Sequence, residues 1–239
     1  MKRKDYYTAH RWLGVLVGVQ LLLWSSGGLI FATHDIDWVR GMEGKSCGSD
    51  ACSKPLPLEQ LTVSPQAAAQ AAGIKDVVRI ETRWLLDKPI YEITGRVKSA
   101  LVDAATALVL SPIDEDTAQA IAQKDRIGDP GITKSTLITE NEPVEYRKKT
   151  LPAWQIALDD ADNTHIYVAA GSGRITARRN DAWRRFDFFW MLHTMDYSGR
   201  DDFNTPWLII FASLGVLSTL SGWMLWGLRL YRRKPTQSA

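Results

Sequence analysis

Two apolar stretches decide the fold of this chain: LGVLVGVQLLLWSSGGLIFAT at 13–33 and PWLIIFASLGVLSTLSGWMLWGLRL at 206–230. Neither contains Asp, Glu or Lys, and each is long enough as a helix to cross a hydrocarbon core of about 30 Å. The apolar region of the first exceeds the 7–15 residues of a signal peptide, and no small-x-small cleavage site follows it. We therefore expect two retained transmembrane helices enclosing about 170 residues of ordinary globular composition.

The flanking charges predict the orientation of both helices. Lys2, Arg3, Lys4 and Arg11 precede the first stretch, and a second basic group at 229–234 ends the other. Because cytoplasmic flanks are enriched in Lys and Arg, both termini should be cytoplasmic and the middle periplasmic, as in a two-pass protein of a bacterial inner membrane. The net charge of +2 gives no indication of a nucleic-acid partner.

Only two cysteines occur, Cys47 and Cys52, and both fall in the part expected to be translocated. A structural disulfide is favoured there because the compartment is oxidising, and closing so short a loop contributes about 2 kcal/mol in the chain-entropy model. The alternative, a redox-active or metal-binding pair, requires a tighter Cys-x-x-Cys or further ligands nearby.

The central segment contains the same order of elements twice. Ser64-Pro65 opens an alanine-rich helix that ends at Gly73, and strands are predicted at 77–85, 90–97 and 101–110. Ser111-Pro112 opens a second helix that runs to about Lys124. Four further strands follow it at 133–139, 153–158, 164–169 and 174–178. These patterns predict two small α+β units, each with a helix packed on an antiparallel sheet.

The two copies can be superposed residue by residue. Tyr91-Glu92-Ile93 corresponds to Trp154-Gln155-Ile156, and the stretch 102–106 (VDAAT) corresponds to 168–172 (VAAGS). Here the chain resembles the PepSY domain family, whose units begin with Ser-x-x-x-Ala and close on a strand of the form Val-Asp-x-x-Thr-Gly. The first copy departs from that pattern at Ala107, where the family usually has Gly, and the second copy lacks the Asp.

The apolar ends extend the resemblance over nearly the whole chain. HRWLG at 10–14, WMLH at 190–193 and SGWMLW at 221–226 are similar to PepSY-associated transmembrane helices. That family includes iron-regulated membrane proteins and ferrisiderophore reductases. The resemblance implies an α+β membrane protein in which two transmembrane helices flank a periplasmic domain of two PepSY-like units.

The predicted organisation has eight segments. They are a cytoplasmic N-terminus (1–12), a first transmembrane helix (13–33), a periplasmic linker with the cysteines (34–62), PepSY-like units at 63–110 and 111–180, an interfacial amphipathic helix (181–196), a second transmembrane helix (206–230) and a cytoplasmic tail (231–239).

Three of the four histidines lie at predicted membrane boundaries: His10 at the inner edge, and His34 and His193 at the outer edge. Imidazoles from two helices are the usual axial ligands of an electron-transfer haem. His10 and His34 are separated by 24 residues, about 36 Å of helix, so they cannot bind one iron. We therefore expect His34 and His193 to bind the iron of a haem b. The alternative is that these residues belong to an interfacial belt that binds nothing.

Small residues in both apolar stretches indicate close helix packing. Gly14 and Gly18 form one small-xxx-small step, and Gly215, Ser218 and Gly222 form another. Such steps serve packing within the chain or against a neighbouring chain. A homodimer of four helices would also bring two His10 side chains around a second, inner haem.

Two functions remain open at this stage. One is electron transfer from a quinol or an inner partner through haem to a periplasmic acceptor, which by resemblance is a ferric siderophore or a soluble redox partner. The other is a non-catalytic, membrane-tethered PepSY module that binds a partner protein through its sheet edges. The sequence contains no dinucleotide-binding fingerprint, nucleophile elbow or His-Glu-x-x-His helix, so it does not indicate a flavin, a nicotinamide or a hydrolytic site.

Overall fold

The computed structural model describes residues 3–46, 55–56 and 58–231. They form six helices and seven strands: α1 Arg3–Thr33, α2 Ile36–Val39, α3 Pro65–Ala71, β1 Val77–Leu85, β2 Lys88–Gly95, β3 Ser99–Asp103, α4 Glu115–Lys124, β4 Ile132–Ile138, β5 Ala153–Leu158, β6 His165–Ala169, β7 Ile175–Arg179, α5 Asp181–Thr194 and α6 Pro206–Tyr231. Short 3-10 turns occur at Leu58–Gln60 and Val144–Tyr146. The chain is therefore α+β, with long apolar helices near both ends. The predicted Cys47–Cys52 bridge lies outside the described residues.

The chain divides into two compact units. The helical unit comprises the residues up to Asp35 together with those from Arg185 onward, and the central unit comprises Ile36–Arg184. In the helical unit, α1 and α6 pack on each other. Both are long and apolar enough to cross a membrane, by length and composition.

The central unit contains the two predicted antiparallel sheets. The first has the order β1-β2-β3 and the second β4-β5-β6-β7. The helix α3 packs on the first sheet through a cluster that includes Tyr91, Ile93 and Val102. The opposite face of that sheet contributes Ile90 and Leu101 to a larger cluster that α4 and the second sheet share. The two units predicted from the sequence therefore have one core in common.

Equivalent residues make equivalent bonds in the two repeats. Tyr91 pairs with Val102 across β2 and β3, and Trp154 pairs with Val168 across β5 and β6, as the superposition predicted. The first strand of each sheet carries an irregularity at the matching place, between Val77 and Arg79 and between Ile132 and Lys134. Residues aligned by sequence thus occupy the same position in two copies of one fold.

In the central unit, two predicted element boundaries differ from the structure by more than two residues. The strand expected at 101–110 ends at Asp103, because the Asp103 carboxylate accepts hydrogen bonds from the N–H groups of Ala105 and Thr106 and turns the chain. The second helix is capped by Asp114, which accepts from the Thr117 N–H at 2.9 Å. Ser111 instead accepts from the Leu101 N–H, so it ties the loop before the helix to β3.

Candidate functional site

His193 lies among aromatic rings contributed by α1 and α5. Its ring centroid is 5.7 Å from that of Trp24, 6.4 Å from that of Phe31 and 6.4 Å from that of Trp190. Phe186 stacks against Phe31 with centroids 4.4 Å apart. The aromatic face predicted for α5 is thus packed on the outer part of α1, while the imidazole of His193 stays exposed.

His34 follows the end of α1 and is also exposed. Its Nδ1 lies 2.9 Å from the Ile30 carbonyl oxygen, so the ring folds back along the last turn of α1. His193 contacts α1 at the level of Trp24 and Phe31, ten and three residues before His34, or about 15 and 5 Å along the helix axis. His193 of α5 thus packs on the last turns of α1, and His34 follows the end of the same helix.

His10 lies near the other end of the helical unit. Its Nδ1 is 2.7 Å from the Ser221 hydroxyl of α6, and its ring lies against Gly222. Fourteen residues, about 21 Å of helix, separate it from Trp24. The structure thus separates His10 from the outer pair.

The Gly14/Gly18 step plays no part in the packing of α1 on α6. A Cβ built on either glycine meets nothing within 4 Å. Among the described residues, none is packed closely against this step.

Two buried donors lie on α1 beside the aromatic cluster. Gln20 Nε2 and Trp24 Nε1 are buried and have no hydrogen-bond partner among the residues that the structure describes. A buried unpaired donor costs about 1–3 kcal/mol and marks a position where a further polar group is expected.

The helical unit fits a haem b by residue type. Imidazole nitrogens, aromatic walls and buried donors are what such a site uses. A haem supplies four iron ligands itself, so one or two histidines suffice. In the described ranges, no group of three or more His, Cys, Asp or Glu side chains could hold a bare metal ion.

The turn between α5 and α6 is built around the Asp196 carboxylate. It accepts hydrogen bonds from the N–H groups of Gly199, Asp201 and Asp202 at 2.9–3.0 Å. These backbone donors, together with Ser198, lower the pKa of Asp196. Nearby, Arg200 forms an ion pair of 2.5 Å with the buried Asp187 of α5. The acidic stretch at 196–202 is therefore a fixed turn.

Sequence reasoning missed a charged cluster in the central unit. Glu145 accepts from His165 Nδ1 and the Tyr167 hydroxyl, both at 2.6 Å, and from Arg184 Nε at 2.8 Å. Burial opposes ionisation of Glu145, but the bonds from His165, Arg184 and Tyr167 outweigh it and lower its pKa to about 2. The His165 side chain is partly buried, with 29 % of its surface exposed. No local motif indicates this cluster, because its members are up to 39 residues apart in the sequence.

A cleft of about 460 Å³ lies in the central unit, where the two repeats meet. Arg83, Lys124, Arg174 and Arg178 line it. Glu92 bonds both Arg83, at 2.7 Å, and Arg174, at 2.8 Å. Arg178 forms an ion pair with Asp125, and Lys124 with Asp87. Of these pairs, Arg174–Glu92 and Lys124–Asp87 join one repeat to the other.

No family model matches this chain, and no match was found among curated proteins or solved structures.

Proposed function

We propose that this protein is a membrane-anchored haem b electron-transfer protein. The observation that carries the proposal is the exposed residue His193, whose ring lies beside those of Trp24, Phe31 and Trp190 in a unit whose two long helices are apolar. A bound haem b supplies one-electron transfer between ferric and ferrous iron.

Each part of the cluster has a task in this proposal. His193 and His34 would hold the haem iron, and the aromatic side chains of α1 and α5 would pack against the group and exclude water from it. Trp24 Nε1 and Gln20 Nε2 are donors that could bond its polar groups. His10 would hold the iron of an inner haem, with a second imidazole supplied by a homodimer.

The route of the electrons follows from the proposed topology. α1 and α6 cross the inner membrane, both termini are cytoplasmic, and the central unit is periplasmic. A quinol or an inner partner is the donor. By resemblance to the PepSY family, the periplasmic acceptor is a ferric siderophore or a soluble redox partner.

The absorption spectrum of detergent-purified protein tests this function. We expect protein from cells given iron and a haem precursor to show a dithionite-reduced b-type spectrum. His193→Ala and His34→Ala should abolish the outer haem, whereas His165→Gln, a change to the one histidine outside the helical unit, should leave it. Loss in His10→Ala alone would move the site to the inner boundary.

The second candidate is a cofactor-free tether that binds a partner protein. Its support is β1, a nine-residue strand at the edge of its sheet, where an extended peptide could add a further strand. Colourless, folded protein with both apolar helices in the membrane would favour this candidate over electron transfer.

A further inference from the structure

The hydrogen bonds of Ser221 determine which nitrogen of His10 carries the proton. Ser221 Oγ lies 2.7 Å from His10 Nδ1 and donates to the Ser218 carbonyl oxygen at 2.8 Å. A hydroxyl has a single hydrogen, and a carbonyl oxygen only accepts. With the hydrogen of Ser221 on the Ser218 carbonyl oxygen, Ser221 accepts from His10 Nδ1–H. In the neutral ring, Nε2 then carries the lone pair.

Gly222 provides the space for this ring. A Cβ at position 222 would lie 3.3 Å from His10 Cε1 and 3.7 Å from His10 Nε2. The first distance is closer than ordinary van der Waals contact, so a larger residue would press on the imidazole. Ser221 thus bonds the Nδ1 edge of the ring, and the absence of a side chain at Gly222 gives space to the edge that carries Cε1 and Nε2.

We propose that Ser221 is a positioning residue that holds His10 in the Nδ1–H form and presents Nε2 as a haem iron ligand at the inner boundary. This inference rests on the proposed haem function. It follows the general pattern in which a ligating histidine donates its other N–H to an oxygen, and loss of that oxygen weakens metal binding by 10–100-fold.

The competing explanation is an interhelical hydrogen bond with no further role. Such bonds in membrane helices contribute little on average to helix association. Deleting such a bond would weaken helix packing slightly. It would not change the tautomer of His10 and would not weaken one haem site selectively.

The test uses the full chain in detergent micelles with ¹⁵N-labelled histidine. We expect the ring nitrogen shifts at pH 8.5 to report His10 as the Nδ1–H tautomer in the wild type and in Ser218→Ala. Ser218 offers Ser221 only its backbone carbonyl, and its side chain is half-buried like that of Ser221, so it is a matched control. Ser221→Ala should shift the ring toward the Nε2–H tautomer, and Ser221→Thr should restore the original one.

Hemin titration of the same proteins supplies the second readout. In Ser221→Ala, the haem site that is lost in His10→Ala should bind hemin 10–100-fold more weakly than in the wild type. The site that is lost in His193→Ala should keep its wild-type affinity for hemin. An unchanged tautomer in Ser221→Ala, or equal hemin affinity in Ser221→Ala and wild type, overturns the inference. Wild-type protein that binds no hemin overturns the haem function and this inference together.

Discussion

At the scale of single residues, the backbone explains one departure from the PepSY-like pattern. Ala107 has φ of +62°, in the left-handed region that favours glycine. It closes the turn that the Asp103 carboxylate starts, and its N–H donates to the Asp103 carbonyl oxygen at 3.0 Å. A non-glycine residue in this conformation costs about 1–2 kcal/mol. Ala107 therefore holds a position where glycine would be less strained.

Ala107→Gly should raise the free energy of unfolding by about 1 kcal/mol. The relief of the left-handed strain should exceed the cost of the larger conformational entropy that glycine has in the unfolded chain. Ala105→Gly, in the same turn at a residue without positive φ, is the control and should be neutral or destabilising. Guanidinium titration of the two variants in detergent measures the difference. Equal effects at both positions would contradict the strain argument.

The Glu145 cluster makes the stability of the central unit depend on pH. The pKa of Glu145 is about 2 in the folded protein, below its usual value of 4.5. Since the folded pKa is lowered, the stabilisation is complete above about pH 4.5 and is lost as the pH falls toward 2. The shift corresponds to about 3 kcal/mol for this side chain, which is 14 % exposed.

Glu145→Gln should remove most of the acid sensitivity between pH 4.5 and 2 and destabilise the protein near neutral pH, because Arg184 loses its charged partner. Unfolding curves followed by tryptophan fluorescence at several pH values measure both effects. Glu142→Gln, at an exposed glutamate of the same loop, should follow the wild-type curve. An unaltered pH profile in Glu145→Gln would show that other carboxylates control acid unfolding.

At the scale of elements, each repeat anchors its helix by the same three hydrogen bonds. The residue before the helix cap, Val63 or Ile113, donates its N–H to the carbonyl oxygen of Ala104 or Ala170. Ala104 and Ala170 in turn donate to the carbonyl oxygens of Pro89 and Pro152. An aromatic donor completes each set: the Tyr91 hydroxyl bonds the Val63 carbonyl at 2.9 Å, and Trp154 Nε1 bonds the Ile113 carbonyl at 3.0 Å. The two repeats thus share these hydrogen bonds as well as their order of helix and strands.

Tyr91→Phe and Trp154→Phe should therefore cost similar amounts, about 1–2 kcal/mol each, the tryptophan somewhat more because its ring is also shortened. Tyr197→Phe, at an exposed tyrosine in the turn before α6, should be neutral. Guanidinium titration gives the three values. A large loss in one repeat and none in the other would show that the repeats are not energetically equivalent.

At the scale of the whole molecule, the exposure of the apolar helices argues for a lipid environment. No residue of α6 is buried, and Trp223 and Trp226 are 74 % and 63 % exposed. Burying apolar area contributes about 25 cal/mol per Å², so leaving a helix of this composition in water would be costly. Placing the two apolar helices in a bilayer would remove that cost.

Membrane fractions should therefore retain the protein through carbonate extraction, and a reporter fused after residue 120 should be active only in the periplasm. A reporter fused after residue 120 that is active only in the cytoplasm, or protein released by carbonate, would contradict the topology. Fusions at residue 231, expected on the cytoplasmic side, provide the internal control.

The interior packing of the central unit was beyond prediction from the sequence. The bounds of β1 and β5 agree with the expected 77–85 and 153–158, since their apolar alternation and flanking turn residues are local signals. The start of α4 was wrong because Ser111 and Asp114 are both good caps, and the choice between them depends on the Leu101 N–H ten residues away.

The sequence by itself determined the two apolar helices, the repeated order of helix and strands, and the separation of His10 from the outer histidines. Each of these follows from periodicity, length or spacing within a short window. Only the tertiary structure decided that the repeats share a core, that Glu145 gathers His165, Tyr167 and Arg184, and that Ser221 orients His10. These features join residues 19 to 211 positions apart, and such contacts are selected by the packing of the whole chain.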